Sequence, residues 1–221
     1  ARSLVVAAFF DAMITRRQLF ASAPAFLAAI AGRTRRIRLG TSVTVLSSDD
    51  PIRVFQRFAT LDAVSGGRAE VTLGRGSFTE SFPLFGLSLD DYERLFSEKL
   101  DLFTRLLAEE PVSWEGTVRP PLESVEVFPR TAAGLPAWVG VGGTPESVVR
   151  AASYGLPLVV AVIGGSPDQF VPLVDLYHRA LEHYGHGPLP VSMHSPGDVA
   201  ATDELSREQM YPHQAAALTK I

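Results

Sequence analysis

Apolar residues along this chain follow two rhythms that alternate. Short continuous apolar runs at Ser3–Phe10, Ala137–Val141 and Leu156–Ile163 read as strands buried on both faces. Arg38–Val45, Ala69–Gly74 and Pro190–His194 are further β-rich runs. Between them, apolar residues recur at three- and four-residue spacing, which is the signature of helices with one buried face. Ile52, Phe55 and Ala59, with Val54, Phe58 and Leu61, mark a helix that starts at Asp50 and stops at Ser65-Gly66-Gly67. Leu95, Phe96, Leu100, Phe103, Leu106 and Leu107 mark a longer helix over Asp91–Ala108. Pro24–Gly32, Pro145–Tyr154 and Asp168–Tyr184 complete the set. Apolar strands alternating with amphipathic helices predict a parallel sheet covered by helices, an α/β fold in one domain over residues 1–221.

The junctions share one design. Asp50-Pro51, Thr144-Pro145 and Ser166-Pro167 each place a hydrogen-bond acceptor before a proline preset for the first helical turn. Pro24 is expected in the first turn of its helix on the same ground. Asp90 and Glu93 form a capping pair for the long helix, and its Glu98 and Asp101 read as a solvated face. Residues 112–128 read as a β-excursion, with hairpin-turn character at Trp114-Glu115-Gly116-Thr117. The connection from Phe78 to Gly86 is aromatic and apolar, which suits either a loop packed on the rim or a cover for a ligand. Asp11–Ala21 has no clean period, and the tail from Asp203 is polar without a clear assignment.

Composition narrows the function classes. A net charge of −4 and no long basic run argue against a nucleic-acid partner. No apolar run approaches the roughly 18 residues that span a bilayer. With no cysteine, disulfides, thiol catalysis and Cys-ligated metals are excluded, and a reducing, cytoplasmic setting is expected. Thr15–Phe20 looks like a twin-arginine export signal, but a helix leading into the Arg38 strand explains it better.

Two turns could hold an anion. Gly74-Arg75-Gly76-Ser77 follows a strand: the glycines permit close backbone approach, and the guanidinium can fork onto phosphate oxygens. Gly142-Gly143-Thr144 opens a helix, where free N–H groups and the hydroxyls of Thr144 and Ser147 suit the same group. A capping role alone also explains Thr144. Neither turn is a dinucleotide fingerprint or a P-loop. His183 and His186 lie near a helix end, and an exposed terminus explains them better than a metal. His194 follows a strand and reads as a rim or packed histidine more readily than a catalytic one. Asp49-Asp50 reads as a helix cap.

RIRLGTSVTVL, the LDAVSGGR helix end, the strand into GRGS and VGGTPESVVRAASYGLP occur in an order that resembles the bacterial-luciferase-like flavin monooxygenases. The resemblance covers Pro24 to about His194. It implies a TIM-type (β/α)8 barrel that binds FMN, or in one branch F420, at the C-terminal ends of its strands. It implies that Arg75, Thr144 and Ser147 contact the cofactor phosphate, with Gly142 and Gly143 leading in. Ser42-Val43 falls at a non-proline cis peptide that lies against the ring in relatives, and Gly164 and Gly165 are expected to border that ring. The implied activity is oxygenation of a small organic substrate by reduced FMN and O2, with a separate flavin reductase and a homodimer. F420-dependent hydride transfer and flavin binding without turnover are the alternatives. Relatives carry a histidine-containing stretch that is not found before Ser22. A complete barrel takes about 250 residues, so pieces are expected to be missing near residues 11–21 and after 202, the catalytic histidine among them.

Overall fold

The computed structural model describes residues 16–76 and 81–218; the strand predicted at Ser3–Phe10 lies outside them. Seven strands are present there: β1 (Ser42–Val45), β2 (Val71–Gly74), β3 (Val112–Trp114), β4 (Leu122–Val125), β5 (Ala137–Val141), β6 (Leu158–Ala161) and β7 (Val191–His194). The helices are α1 (Arg16–Ala31), α2 (Pro51–Ser65), α3 (Ser81–Leu84), α4 (Tyr92–Leu106), α5 (Pro145–Ser153), α6 (Val171–His183) and α7 (Asp203–Leu218). Five strands form one parallel sheet in the order β1-β2-β5-β6-β7, and β3 and β4 form an antiparallel ribbon. The alternation read from the sequence is therefore the architecture, as an arc of parallel strands that does not close among the described residues.

That arc is strongly bent. A flat sheet would hold its first and fifth strands about 19 Å apart, at roughly 4.8 Å per gap. Yet Ser42 Oγ on β1 lies 2.8 Å from His194 Nδ1 on β7. The ladder is also sheared. Ser42 is level with Thr72 and Trp138, and Val139 is level with Leu158 and Val191, so Ser42 is level with Pro190 rather than His194. Curl and stagger together are what barrel closure demands.

The helices cover the convex side. Val71, Leu73, Val139, Leu158 and Val160 are buried with Phe55, Phe58, Phe96 and Phe103 of α2 and α4 in one core. Local chemistry sets two of the helix starts and the end of α2 as expected. Asp50 accepts from the backbone N–H of Ile52 and Arg53, and Gly66 closes α2 at φ 71°. Ser166 caps the turn Pro167–Phe170 that leads into α6.

Three expectations are corrected, and one unassigned segment gains a structure. Pro24 lies inside α1, which begins at Arg16 rather than near the proline. The polar tail from Asp203 is helical. Ser88, not Asp90, caps the turn before α4, and Glu93 is drawn elsewhere. Glu98 and Asp101 are not simply solvated. Glu98 accepts from the backbone N–H of Thr117 and Val118, and Asp101 accepts from Trp114 Nε1 at 2.9 Å, so the pair fastens the ribbon to α4. Residues 77–80 of the aromatic connection lie outside the described residues. Beyond them, Phe82 is buried against Tyr92 with ring centroids 5.6 Å apart, while Leu84 and Phe85 are exposed.

Candidate active site

Three of the predicted anion ligands meet. Arg75 leaves the end of β2 and Thr144 leaves the neighbouring end of β5, so adjacent parallel strands deliver both to one edge. Arg75 Nη2 donates to Thr144 Oγ1 at 3.3 Å, and Thr144 Oγ1 lies 2.7 Å from Ser147 Oγ. Thr144 occupies the N-cap of α5 but makes no side-chain cap bond, so its hydroxyl is committed to this cluster. The first N–H groups of α5 add a partial positive charge there. Gly142 and Gly143 leave open space beside the cluster, and Gly143 has φ 130°, a conformation side-chain-bearing residues rarely adopt.

Glu93 is the member that sequence reasoning missed. Its two carboxylate oxygens accept from Arg75 Nη1 and, at 2.7 Å, from Arg150 Nη2. Arg75 also lies 5.3 Å from the Tyr92 ring centroid, and the Tyr92 hydroxyl donates to the Gly76 carbonyl. Two guanidinium groups thus share one carboxylate, and the buried Nη1 of Arg150 has no acceptor. Burial holds the Arg150 pKa below its usual value, against the nearby Tyr154 and Glu146. A donor set of two guanidinium groups sharing one carboxylate, with two hydroxyls beside a helix N-terminus, fits a phosphate.

Ser42 and Val43 form a second group, on the concave face. Their peptide bond is cis, as the resemblance implied. A Cβ at Gly74 would stand 2.5 Å from Val43 Cγ2, and one at Gly140 would stand 2.6 Å from Val43 Cγ1. The absent side chains on β2 and β5 are therefore the room Val43 occupies. Gly140→Ala has no flexible neighbour to displace, because the valine methyls are fixed at χ1. It is expected to cost roughly 1–3 kcal/mol, as overpacking does, and to lower the thermal midpoint by several degrees. An unchanged melting curve would show that Val43 does not sit there.

Gly164 and Gly165 follow the end of β6, and no contact joins them to either group. Gly165 faces the Gln169 side chain instead. His186 packs against Gly155 and lies 3.3 Å from the Ser153 carbonyl, and no group of three or more metal-ligating side chains occurs among the described residues. Asp49 pairs with Arg57, and Asp50 caps α2.

A sheared, curled parallel sheet covered by helices, with Arg75, Thr144 and Ser147 gathered at its C-terminal strand ends, has the architecture of the (β/α)-barrel class, whose ligands bind on that face. The sequence model described as luciferase-like monooxygenase matches residues 6–219, and the chain belongs to that family. Among curated relatives, 4-hydroxyprotoasukamycin monooxygenase of Streptomyces nodosus subsp. asukaensis is 37% identical over 135 residues, 59% of this chain and 36% of that protein. The alkanal monooxygenase alpha chain of the Kryptophanaron alfredi symbiont is 30% identical over 157 residues, 70% of this chain and 43% of its own length. The chain therefore spans less than half of either relative. Among solved structures, monooxygenase RslO1 from Streptomyces bottropensis superposes with a TM-score of 0.79 at 30% identity, covering 90% of this chain and 62% of that one. The FMN complex of the oxygenating constituent of 3,6-diketocamphane monooxygenase from Pseudomonas putida shares the fold at TM-score 0.73 and 14% identity, over 94% and 70% of the two chains. An F420-dependent secondary alcohol dehydrogenase shares it at TM-score 0.67 and 22% identity, over 77% and 53%.

Proposed function

We propose that this chain is the cofactor-holding part of an FMN-dependent monooxygenase acting on a small organic substrate. The convergence of Arg75, Thr144 and Ser147 at the adjoining ends of β2 and β5 carries the reading. Those three residues would hold the cofactor phosphate, with Gly142 and Gly143 admitting it to the backbone. Ser42 and Val43 would support the ring, with Gly164 and Gly165 at its border. Bound and reduced, FMN supplies the electrons with which one atom of dioxygen enters the substrate and the other leaves as water. The protein's own part is to seat the phosphate, fix the ring against the strands and keep water from the concave face. A separate reductase supplying reduced FMN, a homodimer and a cytoplasmic setting belong to the same reading. No helix among the described residues is long and apolar enough to cross a membrane.

Titration of the purified protein with FMN and with F420, followed by oxygen uptake with each reduced form, tests the proposal. FMN is expected to bind the more tightly and to support oxygen consumption. Tighter binding of F420 would replace the oxygenase with a hydride-transfer enzyme. FMN binding without oxygen consumption would leave a flavin-binding protein.

A further inference from the structure

The five parallel strands read Ser-Val-Thr-Val, Val-Thr-Leu-Gly, Ala-Trp-Val-Gly-Val, Leu-Val-Val-Ala and Val-Ser-Met-His, so His194 is their one titratable side chain. It faces inward. Register pairs it with Ala161, while Val160 and Met193 lie together on the other face, in an apolar cavity against α6. Its Nδ1 lies 2.8 Å from Ser42 Oγ, and its Nε2 has no protein partner among the described residues. Ser42 is also the first residue of the pair proposed to support the flavin ring. One imidazole nitrogen is thus anchored beside that support, and the other opens to the concave face.

We propose that His194, oriented by Ser42, is the proton-transfer residue of this site. The inference rests on the flavin reading above. With no substrate present, bound reduced FMN would supply the two electrons and two protons that turn dioxygen into hydrogen peroxide. One of those protons passes through Nε2: an N–H bond forms there as the donor bond breaks, and it breaks again as the new O–H bond forms. The Nδ1 proton stays on the ring, donated to the Ser42 oxygen throughout, so the ring neither turns nor changes tautomer between turnovers. Burial lowers the His194 pKa and leaves the imidazole neutral and able to accept at neutral pH. Ala161 is level with it on β6, the Ser42 hydroxyl bonds it from β1, and neither strand carries a charge.

The test uses nitrogen-15 histidine NMR together with oxygen uptake by photoreduced FMN in the absence of substrate. His194→Gln identifies the resonance by its disappearance, and FMN affinity close to wild type shows that the variant is folded. In the wild type, the His194 signal is expected to titrate below an ordinary histidine, to carry its neutral-form proton on Nδ1 and to shift on addition of FMN. Oxygen uptake should fall along an acid limb at the same pKa. His194→Gln should remove that limb and slow uptake at least about a hundredfold, within the range of acid–base catalysis. Ser42→Ala should mix the tautomers and slow uptake less. A neutral proton on Nε2, a signal indifferent to bound FMN or an unchanged limb in His194→Gln would each overturn the assignment. Failure of the wild type to bind FMN would instead remove the flavin reading itself.

Discussion

Arg75→Ala weakens FMN binding at least about tenfold and leaves riboflavin binding nearly unchanged. The guanidinium contributes hydrogen bonds to a charged acceptor, worth roughly 1.5–3 kcal/mol, and each 1.4 kcal/mol or so is a factor of ten. Riboflavin lacks the phosphate, so it isolates the ring contribution. Loss of Arg75 leaves Glu93 paired with Arg150 and more than half exposed, so the fold does not depend on the arginine. Arg75→Lys keeps the charge and loses the fork, and should fall between the two. Fluorescence quenching measures all of these constants. Equal losses of FMN and riboflavin, or no loss of either, would remove Arg75 from the phosphate seat.

The second large effect is on stability. Phe103 on α4 is fully buried and meets Phe55 of α2 edge to face, with ring centroids 6.4 Å apart and planes at 65°. Phe103→Ala leaves a cavity where two helices and the sheet converge, at an expected cost of about 3–5 kcal/mol. Against a typical domain stability of about 5–15 kcal/mol, that is a large fraction. The urea midpoint should drop while the denaturant slope stays the same. Because α4 also carries Glu93, FMN affinity should fall in parallel, an effect a remote core site would not produce. A midpoint unchanged by the substitution would mean that the α2–α4 contact is not part of the stabilising core.

These effects differ in how visible their origins are along the chain. The Phe103 stripe, the Asp50 cap and the Gly66 stop obey rules that act within a few residues, and they were readable directly. Arg75 and Thr144 were readable as turn chemistry, because a strand followed by glycine and a donor is a local pattern. Their meeting follows from β2 and β5 being neighbours, which only topology decides. Glu93 misled because its spacing from Asp90 mimics a capping box, while its partners lie 18 and 57 positions away. His194 and Ser42 are 152 positions apart, and nothing local distinguishes that histidine from a packed one. Pro24 shows the reverse error: a sound local rule lost to tertiary packing, which tolerates proline within α1. Arg68 shows how far such packing reaches, since it donates to the carbonyls of Ala31, Thr34 and Ile37 and ties the end of α1 to the start of β2.

The shared carboxylate of Glu93 has a bearing on departure as well as arrival. A seat built of bare arginines would trap stray anions between visits and would release a doubly charged guest slowly. Here a tethered acid sits on both guanidinium groups, so an arriving anion competes with it and part of the positive charge is masked between visits. Under the function proposed above, such a seat suits a cofactor handed over and returned once per reaction cycle, rather than one kept for the protein's lifetime.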